Sequence, residues 1–262
     1  MFCILKDALS YCHRHGIMRC TEKALRELRR IATIESPAAR IRTLVFKRWS
    51  GDGIKISLKG IPLLTRLYMN MEQYEFNERR LAREYLLPHL PVIELGAGIG
   101  VVSCIAEKCT RNNVVVVEAN PSILPVLKEN RRRNGCSFTI VEAALGYKEQ
   151  LTFHYNKGYL SSGTRTHGKA IIVPSVTLRS LLTKKDFAAV NLLCDIEGAE
   201  EELLQNEGPV LQQHVAMFIV EMHPGIIGDS GVQKLKGRLH DLGFILLKQQ
   251  ENTFVYQNTR LQ

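Results

Sequence analysis

The chain has 262 residues, of which 45% are hydrophobic and 23% are charged, and its formal net charge is +9. This length and composition predict a protein that buries a full core, most simply as one α/β domain with an extension. No apolar run approaches the roughly 18 residues that span a bilayer, so we expect a soluble protein, and its scattered cysteines suit reduced thiols of the cytoplasm. The seven cysteines are scattered and include no C-x-x-C pair, which argues against a disulfide framework or a zinc ribbon.

The basic charge is concentrated at the N-terminus, where residues 1–50 contain 11 Lys and Arg but only 4 Asp and Glu. Residues 24–31 place apolar side chains at helical spacing, which predicts an amphipathic helix with arginines on its outer face. Such a face is usually just solvated, but it can attract an anionic substrate, a nucleic acid or a membrane surface. Because no stacking-aromatic motif of the RNA-binding type accompanies these arginines, nucleic acid is a weak alternative as a partner.

Two short apolar segments, 44–49 and 54–58, are joined by a Ser-Gly-Asp-Gly turn, which predicts a β-hairpin. Residues 61–87 then follow a mostly helical pattern. We therefore predict an N-terminal extension of helices and a hairpin over residues 1–75, followed by a ligand-binding domain over residues 76–262.

Strand and helix patterns alternate from residue 92 onward, as is typical of a mostly parallel, doubly wound sheet with helices on both faces. The predicted strands are 92–95, 114–118, 138–141, 188–194, 215–220, 244–247 and 253–256. The predicted helices are 99–109, 121–134 and a short one between the strands 188–194 and 215–220. Two further strands, 151–155 and 170–173, bracket a polar loop, 156–169, which could lie over a ligand cleft as a lid.

The first strand of this series carries Glu94 and runs into a compact turn of small residues. These residues are Gly96, Ala97, Gly98 and Gly100. The second strand ends in Glu118, which Ala119 and Asn120 follow. Ligands of open α/β sheets bind at the carboxyl ends of the strands, where an acid at the end of the second strand can accept both ribose hydroxyls of an adenosine. The two strands therefore predict a site for an adenosine cofactor.

The spacing of the glycines indicates which adenosine cofactor binds. The dinucleotide pattern is G-x-G-x-x-G, and its helix N-terminus faces a pyrophosphate, whereas this chain has G-x-G-x-G. Acids at the rim of the cleft would attract the sulfonium and ammonium groups of S-adenosylmethionine (SAM) and would repel a diphosphate. We therefore predict SAM as the cofactor, with an NAD(P)-dependent oxidoreductase as the alternative from another enzyme class.

A second group of polar residues follows two later strands. Asp195 and Glu197 come directly after the apolar run 190–194, where a buried strand would deliver a reacting group, although either acid could simply cap the next helix. His223 follows the next strand and is the histidine best placed to act as a base near neutral pH. A divalent metal held by Asp195, Glu221 and His223 is a further alternative.

These segments together resemble the FkbM family of SAM-dependent methyltransferases over roughly residues 72–250. The matching motifs, in chain order, are ELGAGIG at 94–100, VEANP at 117–121 with L127–N130 and N134, AALG at 143–146, GYLSS at 158–162, VTL at 176–178, DIEGAE at 195–200 and EMH at 221–223. Tyr74-Glu75 looks like the aromatic-acid pair that precedes the cofactor domain in that family. Two residues depart from the family pattern, since Gly98 stands where an Asn is usual and Arg179 where an acid is usual.

The resemblance implies a seven-stranded class I methyltransferase fold, which is Rossmann-like, and O-methylation of a hydroxyl on a small molecule or sugar. It implies that the glycine turn contacts the methionine portion of SAM, that Glu118 holds the ribose, and that Glu142-Ala143 lie beside the adenine. Asp195 or His223 would take the hydroxyl proton, and Glu197 would orient the acceptor or the base. An RNA-directed methyltransferase and a SAM-binding domain without turnover are the alternatives. The absence of an N-P-P-Y-like motif after the strand that precedes Asp195 favours an oxygen acceptor.

Overall fold

The computed structural model describes residues 48–61, 74–155 and 169–261. The predicted basic helix at 24–31, the first part of the predicted helical segment 61–87 and nearly all of the predicted lid loop lie outside these residues. Within them, no helix is both long enough and apolar enough to span a bilayer. The predicted division between the extension and the ligand-binding domain stays a prediction.

The helices and strands have the following bounds. The strands are β1 (Arg48–Gly51), β2 (Ile54–Ser57), β3 (Val92–Leu95), β4 (Val114–Val117), β5 (Thr139–Val141), β6 (Ala144–Leu145), β7 (Gln150–Tyr155), β8 (Lys169–Val176), β9 (Val190–Cys194), β10 (Val215–Glu221), β11 (Phe244–Gln250) and β12 (Thr253–Asn258). The helices are α1 (Phe76–Tyr85), α2 (Val101–Cys109), α3 (Leu124–Arg133), α4 (Leu178–Lys185), α5 (Glu200–His214) and α6 (Pro224–Asp241).

Seven strands form the main sheet in the order β11-β12-β10-β9-β3-β4-β5. The five strands from β10 to β5 are mutually parallel, and β12 and β11 complete the sheet through antiparallel pairings. Every residue of β3 and β4 is buried, as expected for parallel strands covered on both faces. The predicted mostly parallel, doubly wound, seven-stranded sheet is confirmed.

Helices cover both faces of the sheet and give two apolar layers. One layer packs α1, α2, α3 and the hairpin against the face that carries Val92 and Val116. The other packs α4, α5 and α6 against the face that carries Ile93 and Val117. Because successive side chains of a strand point to opposite faces, each apolar strand contributes to both layers. Helices therefore pack on both faces of the sheet. The edge formed by the carboxyl ends of the parallel strands remains available for a ligand site.

Residues 44–47 of the predicted β-hairpin lie outside the described residues, and the remainder is confirmed as β1 and β2, which pair antiparallel around a two-residue turn. Both turn residues, Asp52 and Gly53, are left-handed, at φ 55° and 73°, which is the Asp-Gly form favoured in tight hairpins. Asn130 of α3 is completely buried and anchors the hairpin, since its Oδ1 accepts from the Ser57 N–H at 2.6 Å. Its Nδ2 donates to the Ile99 carbonyl at 2.9 Å, so the same side chain connects the hairpin to the glycine turn.

Helices α4 and α6 were not predicted, and α5 has 15 residues where a short helix was expected. In α5 and α6, the reason lies in residues that obscure a helical pattern. Pro209 lies inside α5, two residues after a non-helical Glu207. Gly228 interrupts α6 with a φ of 75°. Packing against the sheet overrides these weak local preferences.

A second, three-stranded sheet has the order β6-β8-β7, and its strand β6 follows β5 in the chain. The antiparallel pair of β7 and β8 confirms the two strands predicted on either side of the polar loop. The parallel pairing of the two-residue β6 with β8 was not predicted. This sheet supplies Phe153 to the wall of the cavity described next.

Candidate functional site

A cavity of about 350 Å³ lies at the carboxyl ends of β3, β4, β9 and β10. The turns after β3 and β4 form one side of it, the segments after β9 and β10 form another, and the start of α1 lies across them. This is the edge at which open α/β sheets bind ligands, and the strand order reverses here, since β4 and β5 lie on one side of β3 and β9 lies on the other.

The glycine turn after β3 brings bare backbone to the cavity. Gly96, Gly98 and Gly100 all have left-handed backbone angles, with φ between 53° and 87°. A Cβ on Gly96 would lie 1.8 Å from the Asp195 carbonyl oxygen, and one on Gly100 would lie 2.5 Å from Leu127 Cδ1. A side chain at Gly96 would force the backbone apart, and one at Gly100 would displace the end of the Leu127 side chain from a backbone conformation that already favours glycine.

Glu118 ties the turns after β3 and β4 together. Its Oε2 accepts from the Gly98 N–H at 2.8 Å, and its Oε1 accepts from the Asn120 N–H at 2.6 Å. Burial raises the pKa of Glu118 to about 7, although the backbone donors favour the charged form. Asn120 is completely buried and uses its Oδ1 to accept from the Ser122 N–H at 2.9 Å, so it shapes the turn. Glu118 itself, with Ala119, lines the cavity.

Other predicted cofactor residues divide between the cavity wall and its surroundings. Ala143 lines the cavity, whereas its neighbour Glu142 is exposed and pairs with Lys128. Ala97 is buried within the core layer of α2 and α3. The structure therefore brings Ala143 to the main cavity and leaves Ala97, Gly100, Asn120 and Glu142 outside its wall.

Glu94 lies behind the glycine turn and lines a smaller cavity of about 20 Å³. It is 4% exposed and accepts a hydrogen bond from the Ser103 hydroxyl. Burial raises the pKa of Glu94 to about 8, against the effect of Ser103 and with smaller contributions from the charges of Asp195 and Glu118. This carboxyl is shielded from the main cavity, whereas the sequence predicted it at the rim of the cleft.

The three predicted catalytic residues converge at the ends of β9 and β10. His223 Nε2 lies 3.3 Å from Asp195 Oδ1 and 3.6 Å from Glu197 Oε2. Glu197 has a left-handed φ of 52°, an unusual conformation for a residue with a side chain. Asp195 and Glu197 line the cavity, and His223 lies behind them.

A fourth member of this cluster, Glu200, was not predicted. It is completely buried, and its Oε1 lies 3.1 Å from His223 Nδ1. Burial alone would lower the pKa of His223, but hydrogen bonds and charges from Asp195 and Glu200 outweigh it and raise the pKa to about 12. The ring is therefore an imidazolium at neutral pH and already holds the proton that a base would have to accept. Of the two predicted bases, Asp195 is the better placed to take a proton.

The same cluster also defines the candidate metal ligands. Asp195, Glu197 and His223 each offer a donor atom, and these atoms lie within 4.8 Å of one another. Glu221 is not part of this group, although the sequence placed it among the metal ligands; it lines the cavity, and burial raises its pKa to about 8. Because His223 Nε2 would have to lose its proton to bind a metal, a divalent cation and the imidazolium are mutually exclusive here.

A comparison with known families identifies the chain. Residues 94–256, which is more than half of the sequence, match the model described as the methyltransferase FkbM domain. The chain belongs to this family. The resemblance of the sequence motifs to the FkbM family is thereby confirmed. The cavity lies in a methyltransferase domain.

Solved structures that match this FkbM chain include three methyltransferases. Precorrin-6y C5,15-methyltransferase from Geobacter metallireducens GS-15 has 14% identity and a TM-score of 0.43, covering 69% of this chain and 87% of that one. Ribosomal protein L11 methylase from Lactobacillus delbrueckii subsp. bulgaricus has 15% identity and a TM-score of 0.42, covering 71% and 79%. The METTL16 MTase domain has 12% identity and a TM-score of 0.44, covering 78% and 73%. A search of curated proteins returns no match.

The cavity of this FkbM domain is strongly acidic. Seven carboxyl groups line it: Glu75, Glu78, Glu118, Asp195, Glu197, Glu221 and Glu251. Among the residues that the structure describes, no lysine, arginine or histidine belongs to its wall. Burial and the neighbouring carboxylates raise the pKa values of Glu75, Glu78, Glu118 and Glu221 in the cavity, so a ligand that carries positive charge would stabilise their ionised forms.

Sequence reasoning did not find the contribution of α1. Tyr74, Glu75 and Glu78 line the cavity from the start of this helix, yet they precede the first strand of the sheet by more than ten residues. The only available signal was that Tyr74-Glu75 resembles the aromatic-acid pair of the FkbM family. Glu78 accepts a hydrogen bond from Thr253 of β12, a contact across 175 residues that no local pattern reveals.

Proposed function

We propose that this chain is a SAM-dependent O-methyltransferase that acts on a hydroxyl group of a small molecule or sugar. The acidic cavity at the carboxyl ends of the parallel strands carries the proposal. SAM combines an adenosine with a sulfonium and an ammonium group, so it suits a site that has an acid after the second strand and further carboxyls nearby.

The described residues fit this cofactor. Glu118, fixed by two backbone N–H groups, would accept hydrogen bonds from the ribose hydroxyls through its remaining lone pairs. The backbone of Gly96 and Gly98 would lie against the methionine portion, and Ala143 would lie beside the adenine. SAM supplies a methyl group activated by its attachment to a positively charged sulfur.

Asp195 is the residue that we propose takes the proton of the acceptor. SAM would supply the methyl group and leave as S-adenosylhomocysteine, and the Asp195 carboxylate would take the proton that the acceptor hydroxyl loses. His223, as an imidazolium held by Glu200, fixes the position of Asp195 and balances its charge. Glu197 lies beside the same ring and would orient the acceptor hydroxyl.

The acidic wall also argues against the alternatives. A pyrophosphate or an RNA phosphate would face carboxylates and would find no cationic side chain among the described wall residues. This disfavours an NAD(P)-dependent oxidoreductase and an RNA acceptor that enters by its backbone. A SAM-binding domain without turnover would share the cofactor contacts, so only an assay of methyl transfer separates it from the enzyme.

Thermal unfolding with SAM, S-adenosylhomocysteine, NAD and NADP tests the cofactor. A ligand at about 100 times its dissociation constant adds roughly 2.7 kcal/mol of stability, so stabilisation by the two adenosyl-sulfur ligands alone is expected. Stabilisation by NAD or NADP would contradict the proposal.

A screen of hydroxyl acceptors with labelled SAM then tests turnover, with Asp195→Asn as the inactive comparison and the exposed Glu84→Gln as the matched control. Activity of Asp195→Asn equal to that of the wild type would remove Asp195 from the chemistry. The absence of methyl transfer from a chain that binds SAM would favour the domain without turnover.

A further inference from the structure

Glu75, immediately before α1, has an unusual backbone that directs its side chain into the cavity. Its φ and ψ of 47° and 33° are left-handed, although it is not a glycine. It occupies the N-cap position of α1, yet its side chain makes no capping hydrogen bond. A carboxyl at that position usually accepts from the first free N–H groups of the helix. A strained conformation that forgoes this bond is the kind of feature that functional sites retain.

The Glu75 carboxyl accepts a hydrogen bond from Tyr74, which fixes its orientation. Burial raises the pKa of this carboxyl well above its usual range, against the effect of Tyr74. Oε2 is buried and has no hydrogen-bond partner among the described residues. The residue lines both the main cavity and the small cavity behind the glycine turn. Ionisation of a buried carboxyl that lacks a partner is costly, so a ligand that brings a cationic donor to it stabilises the charged form and gains affinity.

The position of Glu75 relative to Gly98 indicates which ligand group reaches it. Gly98 donates its N–H to Glu118, and a Cβ on Gly98 would lie 3.5 Å from Glu75 Oε1. Glu118 and Glu75 therefore flank the same residue of the glycine turn. If Glu118 holds the ribose, the methionine portion extends along the turn towards Glu75. The sulfonium has no hydrogen to donate, whereas the α-ammonium has three.

We infer that Glu75, oriented by Tyr74, binds the α-ammonium group of the methionine portion of SAM. The inference rests on the proposed function. It assigns to Glu75 the attraction for a cation that the sequence had assigned to Glu94, whose carboxyl is engaged by Ser103 and faces only the small cavity.

Two ligands that differ in the amino-acid end test the contact between Glu75 and the α-ammonium group. S-adenosylhomocysteine carries the ammonium group and no sulfonium, and 5′-methylthioadenosine carries the same adenosine and sulfur but no amino-acid end. We expect Glu75→Gln to bind S-adenosylhomocysteine about 10- to 100-fold more weakly than the wild type, as for loss of a charge-assisted hydrogen bond. Its affinity for 5′-methylthioadenosine should stay within about twofold of the wild type. Calorimetric titration measures both affinities.

Glu84→Gln is the matched control, because Glu84 lies on the same helix, is exposed and pairs only with Arg80 among the described ion pairs. It should leave both affinities unchanged. Tyr74→Phe gives a second test that keeps the carboxyl and removes the group that orients it. It should weaken S-adenosylhomocysteine selectively and by less than Glu75→Gln, and it serves as the test if Glu75→Gln does not fold.

The outcomes separate the inference from the proposed function. If the folded wild type binds neither adenosyl ligand, both the function and the inference fail. If the wild type binds S-adenosylhomocysteine and the variants bind it equally well, the function stands and the inference is overturned. Equal losses for the two ligands would also overturn it, because they would place Glu75 against the adenosine or in the general shape of the cavity.

Discussion

Replacing Glu94 by Gln should stabilise the protein at alkaline pH, in the absence of any ligand. Glu94 is 4% exposed and its pKa is raised to about 8 by burial. Because the folded state holds this proton more tightly than the unfolded state, its contribution to stability falls as the pH rises from about 4.5 to 8. A glutamine resembles the protonated carboxyl and keeps an oxygen for the Ser103 hydroxyl.

The size of the effect follows from the two dissociation constants. The Glu94 carboxyl has a pKa of 4.5 in the unfolded chain and about 8 in the folded chain. Its ionisation therefore costs about 5 kcal/mol more in the folded state, and nearly all of this cost is present at pH 9. At pH 5 the same pair of values leaves a difference of only about 1 kcal/mol. The stabilisation by Glu94→Gln should therefore grow by several kcal/mol between pH 5 and pH 9.

Urea denaturation of the wild type and Glu94→Gln at pH 5, 7 and 9 measures this difference. Glu84→Gln, which removes an exposed carboxyl paired with Arg80, controls for the loss of one negative charge. The ionisation of buried acids that do not interact with Glu94 affects both proteins equally, whereas Glu75, Glu118 and Asp195 interact with Glu94 and add a smaller difference. If the wild type and Glu94→Gln give parallel pH profiles, burial is not the cause of the raised pKa and the reasoning fails.

Three other substitutions test the cofactor site and its support. Glu118→Ala should weaken S-adenosylhomocysteine binding by at least about 10-fold, since it removes the proposed ribose ligand and the acceptor for Gly98; unchanged affinity by calorimetry would remove the ribose assignment. Gly100→Ala should cost about 1–3 kcal/mol in urea denaturation, because a Cβ at φ 83° meets Leu127 at 2.5 Å, and a stability equal to the wild type would show that the turn relaxes freely. Asn130→Ala should cost about 2–3 kcal/mol by leaving buried partners of the hairpin and the turn unpaired, and a loss under about 0.5 kcal/mol would contradict its anchoring role.

The central sheet could be predicted because each of its strands has a recognisable local sequence pattern. β3 and β4 are continuous apolar runs that end in turn residues, and a run that is buried on both faces has that appearance wherever it occurs. Helix α6 could not be predicted in the same way, because Gly228 and neighbouring glycines weaken its local preference. It forms because its apolar residues cover the sheet, which is a property of the assembled fold.

The residues of the candidate site also fall into those that a local sequence pattern reveals and those that only the assembled fold brings together. Glu118 and Asp195 were found because each directly follows a buried strand, and strand ends meet at one edge of a parallel sheet. Glu200 and Glu75 were not assigned roles, since one reaches His223 from within a helix and the other approaches Gly98 from before the first strand. The burial of Glu94 was also hidden, because Ser103 engages it from the following helix. Contacts of this kind depend on how the helices pack, so the spacing of residues in the sequence does not predict them.

The protonation state of His223 determines whether the positive charge beside Asp195 and Glu197 is a protonated imidazole or a bound metal ion. With a pKa raised to about 12 by Asp195 and Glu200, against the effect of burial, the ring should be doubly protonated at pH 8. Nitrogen-15 NMR of the imidazole observes this directly, and the cation's contribution to stability should decline as the pH rises from about 6.5 towards 12. Added magnesium should then leave the His223 signals unchanged, because both ring nitrogens carry protons. A neutral ring at pH 8, or signals that shift with added metal, would refute the imidazolium and return Asp195, Glu197 and His223 to the role of metal ligands.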